Sequence, residues 1–258
     1  MARSISETGP LAGRTPIVTG SGHSLRRASA LPMAAWGADL VLNGRGARDA
    51  VDSLADEVIA NGSEAIGLMA DVSDVEQLAR TGGAAVARLG SVDFLASNVG
   101  MRPKRPSLEV APQGSPAGLR THPSAAFYRA RHMAPRMCVR HRSRVDLVSG
   151  FDGFCARVPG RAHTVIATAG LQGLVTVLGC AFSTDGRAVH AVAPGAIDTM
   201  CDWPRYTDRQ RDRIDAEIPC VRCGRPHAVA AACGPLCSRR GGFMSAPAVR
   251  VNGGHHVY

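Results

Sequence analysis

Lysine is almost missing from this chain. Lys104 is the only one, although 30 basic residues outnumber 21 acidic ones and leave a net charge of +9. An excess carried almost wholly by arginine, beside abundant Ala, Gly and Pro, is explained more simply by compositional bias than by a functional basic patch. The densest cluster, Arg129 to Arg144 (RARHMAPRMCVRHRSR), lacks the glycine–aromatic interleaving that stacks bases, which argues against nucleic-acid binding. No apolar run is expected to approach the roughly 20 residues that cross a bilayer, so no membrane association is anticipated. The N-terminus, MARSISETGPLAGR, has no apolar core of a secretory signal, and the eight cysteines are therefore expected to be reduced in a cytoplasm. No period repeats and no stretch reads as a linker, so residues 1–258 are expected to form one domain.

What is present is an alternation of short apolar runs with longer Ala-rich segments of helical period. That pattern predicts strands over Pro16–Thr19, Asp39–Asn43, Ala65–Met69, Val92–Ser97, Arg144–Val148, Ala188–Val192 and Val249–Asn252. Helices are predicted over Ser24–Trp36, Ala47–Asn61, Val75–Leu89, Ala117–Arg140, His163–Ser183 and His227–Ser238, with Pro32 kinking the first. The fold class is α/β: a Rossmann-type, doubly wound, parallel seven-stranded sheet flanked by helices. Arg102–Ser115 and Asp198–Glu217 read as loops at the mouth of a site.

The first strand runs into IVTGSGHSLRRASA, residues 17–30, where a glycine turn would let backbone N–H groups approach a pyrophosphate at a helix N-terminus. This segment, with Asp71-Val72, Ser97-Asn98-Val99-Gly100, Ser149, Pro194-Gly195 with Thr199, and Val251-Asn252-Gly253-Gly254, resembles the classical short-chain dehydrogenases/reductases. The likeness runs through nearly the whole chain in the right order. It implies an NAD(P)(H)-dependent oxidoreductase of a small carbonyl or hydroxyl substrate, assembled as a homodimer or homotetramer.

Carried over residue by residue, the resemblance places Thr19 and Gly20 in the glycine turn, with Ser24 and Arg26 where the family has its second and third glycines. Arg26 either clamps a phosphate or blocks the pocket. Asp71 and Val72 match the adenine contacts, and Asn98 and Gly100 match the segment under the adenosine ribose; Pro194, Gly195 and Thr199 complete the cofactor-binding set. Arg45, at the second strand's tip with no acidic residue at that tip, favours NADP over NAD. The alternatives are a helix cap for Asp71 and simple exposure for Arg45.

The family's tyrosine, lysine, serine and asparagine fall on Thr164, Thr168, Ser149 or its neighbour Gly150, and His122. A threonine hydroxyl does not titrate in the useful range as a phenol can, so orthodox hydride transfer is expected to be crippled. His122 and His163 stand near the presumed cleft, and imidazole can serve as acid or base in dehydration, isomerisation or cyclisation; both also suit plain surface positions. Cys220, Cys223, Cys233 and Cys237 are spaced as two close pairs, which reads as four small buried hydrophobes rather than as a zinc site. Three classes of function stay open: an altered oxidoreductase, a non-redox enzyme on the same scaffold, and a silent subunit that partners an active paralogue.

Overall fold

In the computed structural model the described residues are 9–21, 24–97, 106–110, 123–137, 144–148, 159–184, 186–199, 206–244 and 248–256. Strands β1 (Pro16–Thr19), β2 (Leu40–Gly44), β3 (Ala65–Met69), β4 (Phe94–Ser97), β5 (Arg144–Val148), β6 (Ala188–Pro194) and β7 (Ala248–Val251) alternate with helices α1 (Ser24–Ala35), α2 (Arg48–Ala60), α3 (Val75–Leu89), α4 (Ala125–Met137), α5 (Ala162–Ser183), α6 (Asp208–Ala216) and α7 (Pro226–Cys237). Short 3-10 turns cover Ser107–Glu109 and Arg239–Phe243. The strands form one seven-stranded sheet in the order β3-β2-β1-β4-β5-β6-β7. Every pairing is parallel; Val18, for example, lies between Leu42 and Ala96.

Both faces of the sheet are covered, and the period-two alternation of the strands sorts their side chains. Val18, Leu40, Leu42 and Val192 join Ala30, Met33, Leu54, Val58, Val229 and Leu236 in one core. Ile17, Val41, Val189 and Ala191 point the other way, into a core with Leu78, Ala130, Met133, Leu171, Val175 and Leu178. Thus α1, α2 and α7 cover one face, and α3, α4 and α5 the other.

Two local devices hold this frame. Trp36, just past α1, has its ring against Gly234 of α7, and a Cβ at residue 234 would fall inside that ring; its carbonyl accepts from Leu11 N at 2.9 Å. Asp93, 1% exposed, accepts Arg14 Nη1, Thr15 N and the Ser91 hydroxyl, each at 3.0 Å. Because Asp93 bonds the lead into β1 in this way, β4 starts at Phe94 rather than at Val92 as expected.

Two expectations are corrected. Asp198–Glu217, read as a loop, contains the helix α6, begun by a capping box in which Thr207 and Gln210 satisfy each other's backbone N–H groups. And α5 is 22 residues without a charged side chain, long and apolar enough by length and composition to cross a membrane, contrary to the expectation that no such run exists. Such a helix is also what a protein core or an interface between copies uses, and Leu171, Val175 and Leu178 build one side of it into this core.

Candidate active site

In an open parallel sheet the ligand crevice lies outside the carboxyl ends of the strands, where helix N-termini also gather. The turn after β1 lies on that edge. Thr19 is buried, and Gly20 takes φ = 68°, a left-handed conformation that favours glycine. Ser21 then donates its N–H to the Asn43 carbonyl at 2.8 Å and its hydroxyl to the same oxygen at 3.2 Å. Asn43, 2% exposed, extends its side-chain amide to the carbonyls of Ala70 (3.1 Å) and Leu68 (3.2 Å). One residue thereby joins the tips of β1, β2 and β3. Sequence reading passed over it, although an asparagine ending the apolar run LVLNG was the available signal.

Arg45 follows β2, largely exposed, with Nη1 3.4 Å from Asp71 Oδ2. The strand tip is therefore not free of carboxylate as expected: the acid comes from the turn after the neighbouring β3. Asp71 also accepts the Ser73 N–H at 2.9 Å and its hydroxyl at 2.7 Å. Burial opposes its ionisation, but these Ser73 bonds and the Arg45 charge outweigh it and hold the carboxyl below its usual value of 3.8. The helix-cap alternative for Asp71 fails, since the N-cap of α3 is Asp74, which accepts from Glu76 N and Gln77 N. Val72 beside it is buried.

At the far side, Pro194 ends β6 opposite Val251 of β7. Gly195 donates to the Val251 carbonyl at 3.0 Å, and a Cβ there would come within 2.7 Å of Asn252. Asn252 in turn bonds Gly254 N at 3.1 Å and the His256 carbonyl at 2.7 Å, so the PG and VNGG motifs fit against each other. Thr199, half-buried, follows a segment tied to Gly224 through Asp198 N at 2.8 Å.

The first turns of α5 carry Thr164 and Thr168, one turn apart and each 1% exposed. Thr168 donates its hydroxyl to the Thr164 carbonyl at 2.7 Å, with the Val165 carbonyl at 3.2 Å. Among the described residues, the Thr164 hydroxyl and both ring nitrogens of His163 are buried without a hydrogen-bond partner. The reading of His163 as a surface histidine is thus corrected: it is 6% exposed. His122, Ser149, Gly150, Asn98, Gly100 and Lys104 lie outside the described residues, as do the side chains of Ser24 and Arg26, whose backbone forms the first turn of α1.

The cysteines divide. Cys233 and Cys237 sit in the core, as read, and Cys223 is buried, whereas Cys220 is exposed. Burial, then the hydrogen bond and charge of Asp215 and the charge of Asp198, push the Cys223 thiol up to about 12, which leaves it protonated near neutrality. No group of three or more His, Cys, Asp or Glu side chains comes together for a metal among the described residues.

Residues 20–256 match the family model described as enoyl-(acyl carrier protein) reductase. The chain is similar to versicolorin reductase of Emericella nidulans, 29% identical over 262 residues that cover 97% of this chain and 98% of the relative. It is likewise similar to L-rhamnose 1-dehydrogenase (NAD(P)(+)) of Azotobacter vinelandii, 29% identical over 253 residues, 96% of this chain and 98% of the other. A solved short-chain dehydrogenase/reductase from Serratia marcescens superposes with a TM-score of 0.91 at 20% identity, covering 96% of this chain and all of that one. Sheet order, turn motifs and matches agree: the chain belongs to the short-chain dehydrogenase/reductase family of oxidoreductases.

Proposed function

We propose that this chain binds NADP(H) and acts on a small carbonyl or hydroxyl compound at the carboxyl edge of its sheet, without the tyrosine–lysine pair through which its family moves the proton. The observation that carries this reading is that the Gly20 turn, the Arg45–Asp71 pair, the Gly195 turn and the buried Thr164 all belong to one edge. The residues there fit the dinucleotide: an exposed guanidinium at the β2 tip suits a 2′-phosphate, and a left-handed glycine opens the turn into α1, where helix N–H groups attract a pyrophosphate. When bound, the cofactor supplies or accepts the hydride. Arg45 then fixes the adenosine end, Asn43 keeps the three strand tips in register beneath it, and Gly195 allows close backbone approach on the opposite side. Thr164 presents a hydroxyl that hydrogen-bonds but does not titrate, so orthodox turnover is slow.

Titration of the purified protein with NADPH and NADH, read by thermal shift and nucleotide fluorescence, tests the proposal. Saturable NADPH binding is expected; no binding at millimolar nucleotide overturns it.

We also infer that the chain assembles with copies of itself, which a specific surface favours. Ile166 (54% exposed) and Val177 (65%) stand on the outer face of α5, with Phe127 (42%) and Tyr128 (37%) on α4. The occupant that suits an uncharged helical face of this kind is a second copy of the chain, as a homodimer or homotetramer in the cytoplasm. Ile166→Glu with Val177→Glu should then yield monomer in sedimentation velocity, and an unchanged sedimentation coefficient would refute the assembly.

A further inference from the structure

The guanidinium of Arg45 and the carboxylate of Asp71 meet at 3.4 Å, and the two partners are held very differently. Asp71 is anchored from several sides. Ala70 before it donates its N–H to the Gly44 carbonyl at 2.8 Å, and the Ala70 carbonyl accepts the Asn43 amide at 3.1 Å. The Asp71 N–H goes to the Gln77 side-chain carbonyl at 2.9 Å. Gln77 is itself fixed by Asp74, which accepts its backbone N–H at 3.1 Å and its side-chain amide at 2.8 Å. Oδ1 of the Asp71 carboxylate accepts both the N–H and the hydroxyl of Ser73, while Oδ2 faces Arg45.

Arg45 is held by far less. Its side chain is 74% exposed and reaches Oδ2 from one terminal nitrogen, over a distance longer than an ordinary hydrogen bond. The carboxylate is thus the fixed partner and the guanidinium the movable one. An anion that comes to Arg45 meets a cation already partly neutralised, with an anchored negative charge inside the Debye length of about 8 Å, where salt screens it incompletely. A phosphate monoester, at about −1.5 to −2 near neutrality, feels this opposition strongly. A hydroxyl in the same place is uncharged and does not. Although burial works the other way, the Ser73 bonds and the Arg45 charge keep the Asp71 carboxyl below 3.8, so its charge persists across the neutral range.

We propose that Asp71 is a specificity-determining residue that acts through Arg45: as a fixed counter-charge it restrains the preference of this chain for adenine dinucleotides that carry a 2′-phosphate over those with a free 2′-hydroxyl. This rests on the reading of Arg45 as the residue that meets the 2′-phosphate, and it gives that residue a built-in competitor. Nucleotide choice at this edge is then set by two side chains that work against each other. Asp71→Asn is the diagnostic change, because an amide oxygen still accepts both Ser73 bonds while the charge is gone.

Isothermal titration of the full chain with NADP+ and with NAD+, which differ only in the 2′-phosphate, provides the test. Asp71→Asn should tighten NADP+ by about threefold to tenfold and leave NAD+ within about twofold of its native affinity. In an Arg45→Ala background the same substitution should give no gain, since the competitor then has nothing to compete for. A change that merely loosened the turn would weaken both nucleotides instead. The role is overturned if Asp71→Asn leaves NADP+ affinity unchanged or lower. It is also overturned if the gain persists without Arg45, which would mean that the carboxylate repels the phosphate by itself. If neither nucleotide binds the native chain or any variant at millimolar concentration, the dinucleotide reading falls and this role with it; binding of both without the gain removes the role alone. Should Asp71→Asn fail to fold, Asp71→Ser, which also removes the charge, carries the same expectation.

Discussion

The Thr168 hydroxyl donates to the Thr164 carbonyl at 2.7 Å, so the two positions that the resemblance aligns with the family's lysine and tyrosine are joined here through the helix backbone. Restoring either side chain alone should do little, because tyrosine without a neighbouring ammonium keeps a pKa near 10 and lysine without a phenol has nothing to tune. Thr164→Tyr combined with Thr168→Lys should raise NADPH-dependent reduction of ethyl acetoacetate roughly 100-fold over either single variant. Simple additivity of the two rates would refute the coupling.

Arg45 governs nucleotide choice in this account. NADPH should bind at least about tenfold more tightly than NADH, and Arg45→Ala should remove most of that margin while leaving NADH affinity nearly unchanged. Equal affinities in the native protein would be incompatible with the assignment.

Asp71 has an acid-side signature. Its folded-state carboxyl lies below 3.8, so its contribution to stability is complete above the ordinary carboxylate range and is lost as pH falls through the folded value. Asp71→Asn should therefore be felt most near neutral pH and hardly at all at about pH 2, in a series of thermal melts. A variant whose deficit stays constant across that range would contradict the ion-pair and turn geometry.

Gly234 can carry no side chain while the Trp36 ring lies against it. Gly234→Ala should cost about 2–4 kcal/mol in urea unfolding, because the intruding methyl meets rigid indole and not the free end of a flexible chain. A loss under about 0.5 kcal/mol would mean that α1 and α7 can separate cheaply.

Val221 takes φ = 52° and is 70% exposed. A β-branched residue in the left-handed region is strained by about 1–2 kcal/mol, and glycine relieves this at some cost in unfolded-chain entropy. Val221→Gly should stabilise by about 0.5–1 kcal/mol, measured by the shift of the urea midpoint at constant slope.

Much of the frame was legible because parallel strands buried on both faces leave near-continuous apolar runs. β1, β3 and β5 fall where the sequence placed them, and β6 runs on to Pro194 because its tip pairs with Val251. α6 was missed since DRQRDRIDA has no apolar stripe; its signal was Thr207 followed three residues later by Gln210. The site was less legible. Asp71 reaches Arg45 only because β2 and β3 are neighbours, and the isolation of His163 follows from where α5 begins, which propensity locates only to within a residue or two.

The uncharged length of Ala162–Ser183 has a consequence before the protein is folded. Emerging from the ribosome or diluted from denaturant, this segment carries no gatekeeping charge to discourage sticking to another copy until β6 and β7, which follow it in the chain, have packed into the sheet. Recovery on dilution from urea should therefore fall steeply with protein concentration, and a single glutamate at Val177, on the outer face, should flatten that dependence. The helix proposed to serve assembly is, for the unfinished chain, its chief hazard.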